Sequence, residues 1–350
     1  MTLYEPLPFD KNSKIRILVM QYRPIGDVLL STPLIKILKK EYPNSYLAFL
    51  SGKLASQVLI NNPHLDKILI FPKSDKDIIG GFLYFLKLRK YKFDLTVDLL
   101  GSPSTAWASL FSGAKYRIGY DLRGRRYAYN LKTSNITEDR YSSLKKLVLL
   151  KRIGIYTEIE KPEIFLTDEE VEKAEKLLSG LKVTKKDFTI SISPVSKRQA
   201  RRWTKMGYAE LCDILISEYG AKVVFHWGPG ELEYVNEISG LMKNKPVILP
   251  PTSVREMASI ISLSDLMITN CNGHKHIAVA LNIPTITVFG PTNPKVWNPS
   301  DLNRHPFVQS ETECIGCDKQ ECEHKRCMED VKAEKILEKV KELKTNGIIK

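Results

Sequence analysis

The chain has the pattern of an α/β protein with two parallel sheets. Short apolar runs alternate with amphipathic runs along most of its length, which is typical of parallel strands covered by helices. Its 350 residues, of which 43% are hydrophobic and 27% charged, are enough for two hydrophobic cores. A Glu- and Lys-rich segment at 167–181 separates two series of apolar runs. We therefore predict two domains, residues 1–165 and 166–350.

Five strands are predicted in the first domain, with helices in the intervals between them. These strands are residues 15–20, 46–50, 67–71, 95–99 and 117–120. The first strand is followed by Gly26 and Asp27, and a helix is expected to begin there.

A surface helix at 167–181 is predicted next, because Val171, Ala174, Leu177 and Leu178 lie on one side of it. A second strand series follows, and a C-terminal helix closes the domain. The strands of this series are residues 188–193, 222–227, 246–249, 266–269 and 285–289.

Residues 268–294 form the most informative segment of the chain. A buried strand ends there in a polar turn, a helix is predicted to begin near Gly273, and a second strand leads into Gly290-Pro291-Thr292. The first N–H groups of a helix lack internal partners, and the helix dipole is positive at that end. A diphosphate could therefore be held near Gly273, and the segment predicts a nucleotide-sugar site.

The net charge of +13 favours an anionic partner, which could be a nucleic acid, an anionic membrane surface or a phosphorylated substrate. No nucleic-acid-binding module is recognised, so we disfavour a nucleic-acid partner. The sequence has no uncharged apolar run of about 18 residues and no basic start followed by an apolar core. We therefore expect a cytoplasmic protein.

Four cysteines are closely spaced near the C-terminus. Cys314, Cys317, Cys322 and Cys327 have the spacing C-x2-C-x4-C-x4-C, which suits a tetrahedral metal site such as structural zinc. Buried thiols or a redox-labile disulfide are the alternatives.

Several short segments, taken in order, resemble glycosyltransferase family 9, the bacterial ADP-heptose:lipopolysaccharide heptosyltransferases, with the second heptosyltransferase type most similar. The resemblance covers most of the chain. The segments that carry it are residues 15–33, residues 91–101, Arg117-Ile118-Gly119-Tyr120, Arg201-Arg202-Trp203, Trp227-Gly228, Gly273-x-x-His276 and Phe289-Gly290-Pro291-Thr292-x-x-Pro294.

The resemblance implies the GT-B architecture, in which two Rossmann-like domains face each other across a cleft. The first domain would bind the acceptor and the second the nucleotide sugar. It also implies an inverting transfer of a heptose from ADP-heptose to the inner core of lipopolysaccharide, with no cofactor required for catalysis. Contact with the inner face of the anionic inner membrane would then be peripheral.

Residue roles follow from the same resemblance. Asp27 matches the catalytic base, although an aspartate there could also cap its helix. Arg201 matches a lysine that binds the diphosphate, and His276 could instead be a capping or buried histidine. The predicted donor-binding residues are Ser196, Arg201, Glu231, Thr252, Cys271, Asn272, Gly273 and His276. The predicted acceptor-binding residues are Arg117, Arg123 and Arg125, from a basic segment at 115–126.

Cys271 departs from the family pattern, which has an aspartate at that position. A thiol is a weaker hydrogen-bond acceptor than a carboxylate, so the identity of the donor sugar is open. Lys275 could add positive charge to the diphosphate site, although an exposed lysine on the helix is the default expectation. Two alternatives to the heptosyltransferase follow, namely a family relative with another nucleotide sugar or glycan acceptor, and a non-catalytic sugar-nucleotide-binding protein.

Overall fold

The computed structural model describes residues 7–22, 24–71, 78–134, 138–158, 161–312 and 316–350. The chain forms two compact units, Met1–Phe165 and Leu166–Lys350. Each unit contains a parallel sheet of six strands with helices in the connections, so the predicted α/β class is confirmed.

In the first unit the strands are β1 Arg16–Met20, β2 Tyr46–Ser51, β3 Lys67–Ile70, β4 Leu95–Asp98, β5 Tyr116–Tyr120 and β6 Leu131–Thr133. The helices are α1 Ile25–Leu29, α2 Thr32–Glu41, α3 Ile78–Lys87, α4 Pro103–Phe111 and α5 Ser142–Leu147. The sheet order is β3-β2-β1-β4-β5-β6. Because the order reverses next to β1, a crevice for ligands is expected at the carboxyl ends of β1 and β4.

In the second unit the strands are β7 Thr189–Ser193, β8 Lys222–Phe225, β9 Val247–Ile248, β10 Leu266–Asn270, β11 Thr285–Phe289 and β12 Phe307–Gln309. The helices are α6 Asp168–Gly180, α7 Lys205–Tyr219, α8 Leu232–Leu241, α9 Val254–Ser262, α10 Gly273–Ala280, α11 Pro294–Trp297, α12 Arg326–Glu329 and α13 Ala333–Thr345. The sheet order, β12-β11-β10-β7-β8-β9, repeats that of the first unit when read from the other end. Its reversal lies between β7 and β10.

The central strands are buried on both faces. All five residues of β7 and all five of β10 are buried, which is expected of parallel strands covered by helices on both sides. Runs rich in apolar and β-branched residues explain why the ten strands predicted from the sequence are all present. The two missed strands are the edge strands β6 and β12. They read Leu-Lys-Thr and Phe-Val-Gln, in which a polar residue interrupts or ends the apolar run.

Helix ends follow the local capping chemistry. The predicted helix at 167–181 is confirmed as α6. The Thr167 side chain accepts a hydrogen bond from the Glu170 N–H, and the Glu170 carboxylate accepts one from the Thr167 N–H. The predicted start of α10 at Gly273 is also confirmed. Where one helix was expected to begin near Asp27, however, the chain forms two, α1 from Ile25 and α2 from Thr32. Pro33 lies in the first turn of α2, where its missing N–H costs nothing. Among the described helices, none combines the length and apolar character needed to cross a bilayer.

Candidate functional site

Asp27 lies in α1, immediately beyond the carboxyl end of β1. Its Oδ1 accepts a hydrogen bond from Lys146 Nζ at 3.1 Å, and its side chain is 20% exposed. The N-cap of α1 is Pro24, so helix capping does not account for this aspartate. Oδ2 has no hydrogen-bond partner within the described residues and is not sealed from solvent. The carboxylate therefore has one oxygen fixed and one available.

Lys146 was not identified from the sequence. It lies on α5, a short helix that the sequence pattern did not predict, and its side chain is only 7% exposed. A buried ammonium is costly unless it is paired, so the contact with Asp27 stabilises both groups. The only sequence feature that could have indicated its burial is its position among the apolar residues of 142–150. That feature alone does not identify Asp27 as its partner.

Asp98, which is buried, and Tyr120, which is half-buried, lie in the neighbourhood of Asp27. Asp98, at the end of β4, accepts hydrogen bonds from the Tyr129 hydroxyl at 2.6 Å and from the Leu100 and Gly101 amides at 2.9 Å each. Burial raises the pKa of Asp98, although these bonds oppose the rise. Burial, and then the charges of Asp98 and Asp27, raise the pKa of Tyr120, which therefore stays neutral.

Gly119 explains part of the Arg117–Tyr120 motif. The ring of Tyr129 lies 2.5 Å from where a Cβ at position 119 would be, so the tyrosine that binds Asp98 fits only against glycine. This close approach links the motif to the carboxyl end of β4.

The predicted acceptor residues differ in their surroundings. Arg117 donates from Nε to the Ala128 carbonyl at 2.8 Å and from Nη1 to the Ala114 carbonyl at 2.7 Å, so its guanidinium braces the loop that follows β5. Burial lowers its pKa from the usual value. Arg123 is exposed and Arg125 is half-buried. These two remain available to an anionic ligand.

In the second unit, Asn272 connects the two strands at the sheet reversal. Its Oδ1 accepts the Lys275 N–H at 3.2 Å as the N-cap of α10. Its Nδ2 donates to Ser193 Oγ at 3.0 Å and to the Val195 carbonyl at 2.9 Å. The carboxyl ends of β7 and β10 are thus joined through one amide. The next helical residue, Gly273, faces open space where a Cβ would be, so a ligand can approach the backbone.

His274 is tied to the end of β7. Its Nδ1 and Ser193 Oγ share a hydrogen bond at 2.7 Å, and Ser193 Oγ also accepts from Asn272 Nδ2. Burial lowers the pKa of His274 to about 4, which keeps the ring neutral near pH 7. The residue is half-buried and Nε2 is not sealed from solvent, so this nitrogen can form a hydrogen bond with a ligand.

Lys275 is fully buried, contrary to the expectation of an exposed lysine. Its Nζ donates to the Trp297 carbonyl at 2.5 Å and lies 4.7 Å from the centre of the Phe289 ring. Burial lowers its pKa to about 7. The surface-helix prediction failed because the side chain points beneath α10 toward β11, which helical periodicity over eight residues did not reveal.

Cationic groups collect around Cys271. Burial raises the pKa of the Cys271 thiol, and the nearby Lys275, Arg201 and Arg198 oppose that rise. Arg201 Nη2 donates to Asp318 Oδ1 at 2.6 Å, whereas its Nε is buried without a hydrogen-bond partner. Arg198 also pairs with Asp318, at 2.9 Å. Burial raises the pKa of Asp318, but the two arginines outweigh it and lower the pKa overall.

The other predicted donor residues lie at the same carboxyl edge of the second sheet. Ser196 is buried after β7, and Thr252 is half-buried after β9. Glu231 accepts the Gly228 N–H at 2.8 Å and closes the turn after β8. His276 is buried, with its ring 6.1 Å from that of Trp297. The parallel sheet therefore brings the loops of all predicted donor residues to one edge, with Arg201 and Lys275 near Cys271.

The cysteine segment is described only in part. Cys314 lies outside the described residues, Cys317 is exposed, Cys322 is half-buried, and Cys327 is buried against Gly290. No three His, Cys, Asp or Glu side chains in the described part of the chain are grouped so as to hold a metal ion.

The buried cation generates a stability prediction. We expect Lys275→Met to raise the free energy of unfolding at pH 7 by roughly 1–4 kcal/mol, because methionine packs there without a charge to desolvate. The folded pKa of about 7 lies below the unfolded value, so between these pH values the unfolded chain binds a proton that the folded chain does not. Wild-type stability from this group therefore rises with pH across that window.

Urea denaturation at a series of pH values above 7 measures this difference. The advantage of Lys275→Met is expected to be greatest at pH 7 and below, and to shrink as the pH approaches about 10.4. The exposed Lys245→Met is the matched control and should show no such trend. An advantage that is independent of pH would contradict the account.

Comparisons with known proteins identify the family of the chain. A family model described as glycosyltransferase family 9 (heptosyltransferase) matches residues 84–328. Lipopolysaccharide heptosyltransferase 1 of Campylobacter coli is 27% identical over 347 residues, covering 94% of this chain and 99% of the relative.

Two solved structures share the fold. The glycosyltransferase family 9 protein of Veillonella parvula aligns with a TM-score of 0.83 and 22% identity, covering 95% of this chain and 99% of that one. The ADP-heptose LPS heptosyltransferase II of E. coli aligns with a TM-score of 0.80 and 20% identity, with the same coverage of 95% and 99%. Because the family model spans well over half of the sequence, this chain belongs to glycosyltransferase family 9 and is a glycosyltransferase of the GT-B fold class.

Proposed function

We propose that this protein is an inverting heptosyltransferase that moves a heptose from ADP-heptose to the inner core of lipopolysaccharide on the cytoplasmic side of the inner membrane. Relatives with heptosyltransferase names support the sugar and the acceptor class. The observation that carries the proposal is the Asp27–Lys146 pair, which leaves one carboxylate oxygen available at the carboxyl end of the central strand.

Asp27 is the general base of this proposal. As the acceptor hydroxyl oxygen attacks the anomeric carbon, its proton passes to Asp27 Oδ2. The bond from the anomeric carbon to the diphosphate oxygen breaks, and ADP leaves with the electron pair. Lys146 holds Oδ1, so the rotation of the carboxylate is restricted and Oδ2 is presented to the acceptor.

The start of α10 is the proposed diphosphate site. The Lys275 N–H is taken by Asn272, whereas the Gly273 and His274 N–H groups precede the first internal helical bond and can donate to phosphate oxygens. The guanidinium of Arg201, whose side chain is 14% exposed, supplies a charged donor. Fixed donors of this kind stabilise the charge that develops on the leaving diphosphate.

The remaining predicted contacts are part of the proposal. Ser196, Glu231, Thr252 and His276 would complete the nucleotide-sugar site, since they lie on the loops of the same sheet edge or on α10. Arg123 and Arg125 would bind anionic groups of the acceptor. Arg117 would act indirectly, by bracing their loop.

A second candidate is transfer from another nucleotide sugar. Cys271 is buried, its thiol stays neutral, and it cannot accept a sugar hydroxyl as a carboxylate would. Incubating the protein with a panel of nucleotide sugars and measuring the released nucleotide distinguishes the donors. Release from none of them would favour a non-catalytic binding protein. The structural zinc also stays a hypothesis, which elemental analysis of the purified chain tests.

We expect Asp27→Asn to lower kcat by roughly 10²–10⁴-fold, because the amide cannot accept the proton. Calorimetric binding of the donor should be unchanged. Glu41→Gln, a change at an exposed carboxylate of the same unit, is the matched control and should leave kcat unaltered. Retention of wild-type kcat by Asp27→Asn would exclude it as the base.

We expect Lys146→Met to lower kcat by up to about 100-fold through loss of carboxylate positioning, with little change in donor affinity. Lys146→Arg keeps a cation near Oδ1 and should retain more activity than the methionine variant. Steady-state kinetics of both variants check this. Equal losses in the two variants would contradict a role that depends on charge.

We expect Arg201→Ala to weaken ADP binding by roughly 10–100-fold, since a charge-assisted hydrogen bond to the diphosphate is lost. Adenosine, which lacks phosphate, should bind both proteins equally. Lys245→Ala, at an exposed lysine of the same unit, is the control for net charge. Isothermal titration that finds the same ADP affinity in Arg201→Ala would rule out the proposed contact.

A further inference from the structure

Three aromatic rings form an exposed cluster on the first unit. Trp107 on α4 is 42% exposed, and Tyr127, in the 3-10 turn Arg126–Ala128, is 49% exposed. The Trp107 ring stacks on Phe111 with centroids 5.2 Å apart and planes at 5°, and it meets the Tyr127 ring edge-on at 5.8 Å. We call Trp107, Phe111 and Tyr127 the aromatic patch. Its rings are ordered against one another while Trp107 and Tyr127 face solvent.

Arginines flank the aromatic patch. Arg126 directly precedes Tyr127 and is exposed. Arg89, also exposed, lies within 3.6 Å of the position a Cβ would take at Gly113, two residues beyond Phe111. Neither arginine forms an ion pair within the described residues. The two arginines near the aromatic patch are thus not neutralised, on a chain whose net charge is +13.

We propose that the aromatic patch, with Arg89 and Arg126, docks the protein on the surface of an anionic lipid bilayer. Trp and Tyr have an apolar body and a polar edge, and they are enriched at the depth of lipid headgroups. Arginines beside them are attracted by anionic headgroups. No other exposed group of the described residues combines stacked aromatic rings with unpaired arginines in this way.

The size of the aromatic patch favours a membrane over a protein partner. A stable protein interface takes roughly 20–30 residues from each side. Three rings and two arginines are far fewer, and rings inserted among headgroups need no shaped counterpart. A bilayer supplies many weak contacts over a flat surface, which fits a small aromatic patch with two arginines nearby.

The biological use of this docking rests on the proposed function. An acceptor carried by a membrane is concentrated at the bilayer surface, so binding there would bring the acceptor-binding unit to its substrate. Binding to lipid does not itself require transfer. The aromatic patch uses none of the residues proposed for catalysis or for binding donor and acceptor, so the two proposals can fail separately.

Sedimentation of the full chain with vesicles tests the proposal. We expect binding to vesicles of mixed phosphatidylcholine and phosphatidylglycerol, little binding to phosphatidylcholine alone, and loss of binding at high salt. Trp107→Ser with Tyr127→Ser should weaken binding by about tenfold or more, since two rings that would insert among the lipid headgroups are lost. Arg89→Gln with Arg126→Gln should weaken it by roughly fivefold for each arginine.

Tyr156→Ser is the matched control, because Tyr156 is 70% exposed and lies outside the aromatic patch. Transfer to a water-soluble acceptor should be the same in Tyr156→Ser and in the double variant of Trp107 and Tyr127, which shows that they are folded. Circular dichroism shows the same for the arginine variant, since Arg126 lies in the basic segment 115–126. Binding to vesicles without preference for anionic lipid, or equal binding by the aromatic-patch variants and Tyr156→Ser, would overturn the proposal. Vesicle binding by a protein that transfers no sugar would refute the proposed function alone.

Tryptophan fluorescence locates the contact. Of the four tryptophans, Trp107 is the only exposed one, so a blue shift on adding anionic vesicles reports its entry into the bilayer. The shift should disappear in Trp107→Phe, which should still sediment with vesicles. A shift that persists in Trp107→Phe, or self-association of wild type that Trp107→Ser abolishes, would show that the aromatic patch serves another contact.

Discussion

Both units depend on the geometric constraint of a parallel sheet whose strand order reverses beside its first strand. In such a sheet every strand ends at the same edge, so the loops after the strands emerge together. At the reversal, the connections leave on opposite sides and a crevice opens between them. Asp27 follows β1 at one reversal, and Asn272 joins the ends of β7 and β10 at the other. The candidate catalytic chemistry therefore lies where the topology leaves room for a ligand.

Each unit has a buried lysine near the carboxyl edge of its sheet, and the two lysines differ in their partners. Lys146 is compensated by the carboxylate of Asp27, whereas Lys275 has a carbonyl and an aromatic ring as its contacts. Desolvation without a carboxylate lowers the pKa of Lys275 to about 7, so it is a cation held at a cost in stability. A bound diphosphate would favour the charged form. A role in binding the diphosphate would explain why Lys275 is retained despite its cost in stability.

The sequence predicted the central parts of the fold well and the contacts between distant residues poorly. Buried parallel strands are rich in apolar and β-branched residues, and the caps at Thr167 and Asn272 are local signals, so both could be recognised along the chain. In the edge strands β6 and β12 polar residues interrupt or end the apolar run, so neither gave such a signal. Lys146 and Asp27 are 119 residues apart, and Arg201 and Asp318 are 117 apart, so only the folded chain shows that each pair meets. The burial of Lys275 was missed for the same reason.

The central claim is that the diphosphate of a nucleotide sugar is bound at the start of α10. A crystal structure of this protein with ADP tests it most directly. The account predicts phosphate oxygens within hydrogen-bond distance of the Gly273 and His274 amides and of the Arg201 guanidinium. ADP bound with its phosphates away from α10, or with Arg201 still held only by Asp318, would contradict it.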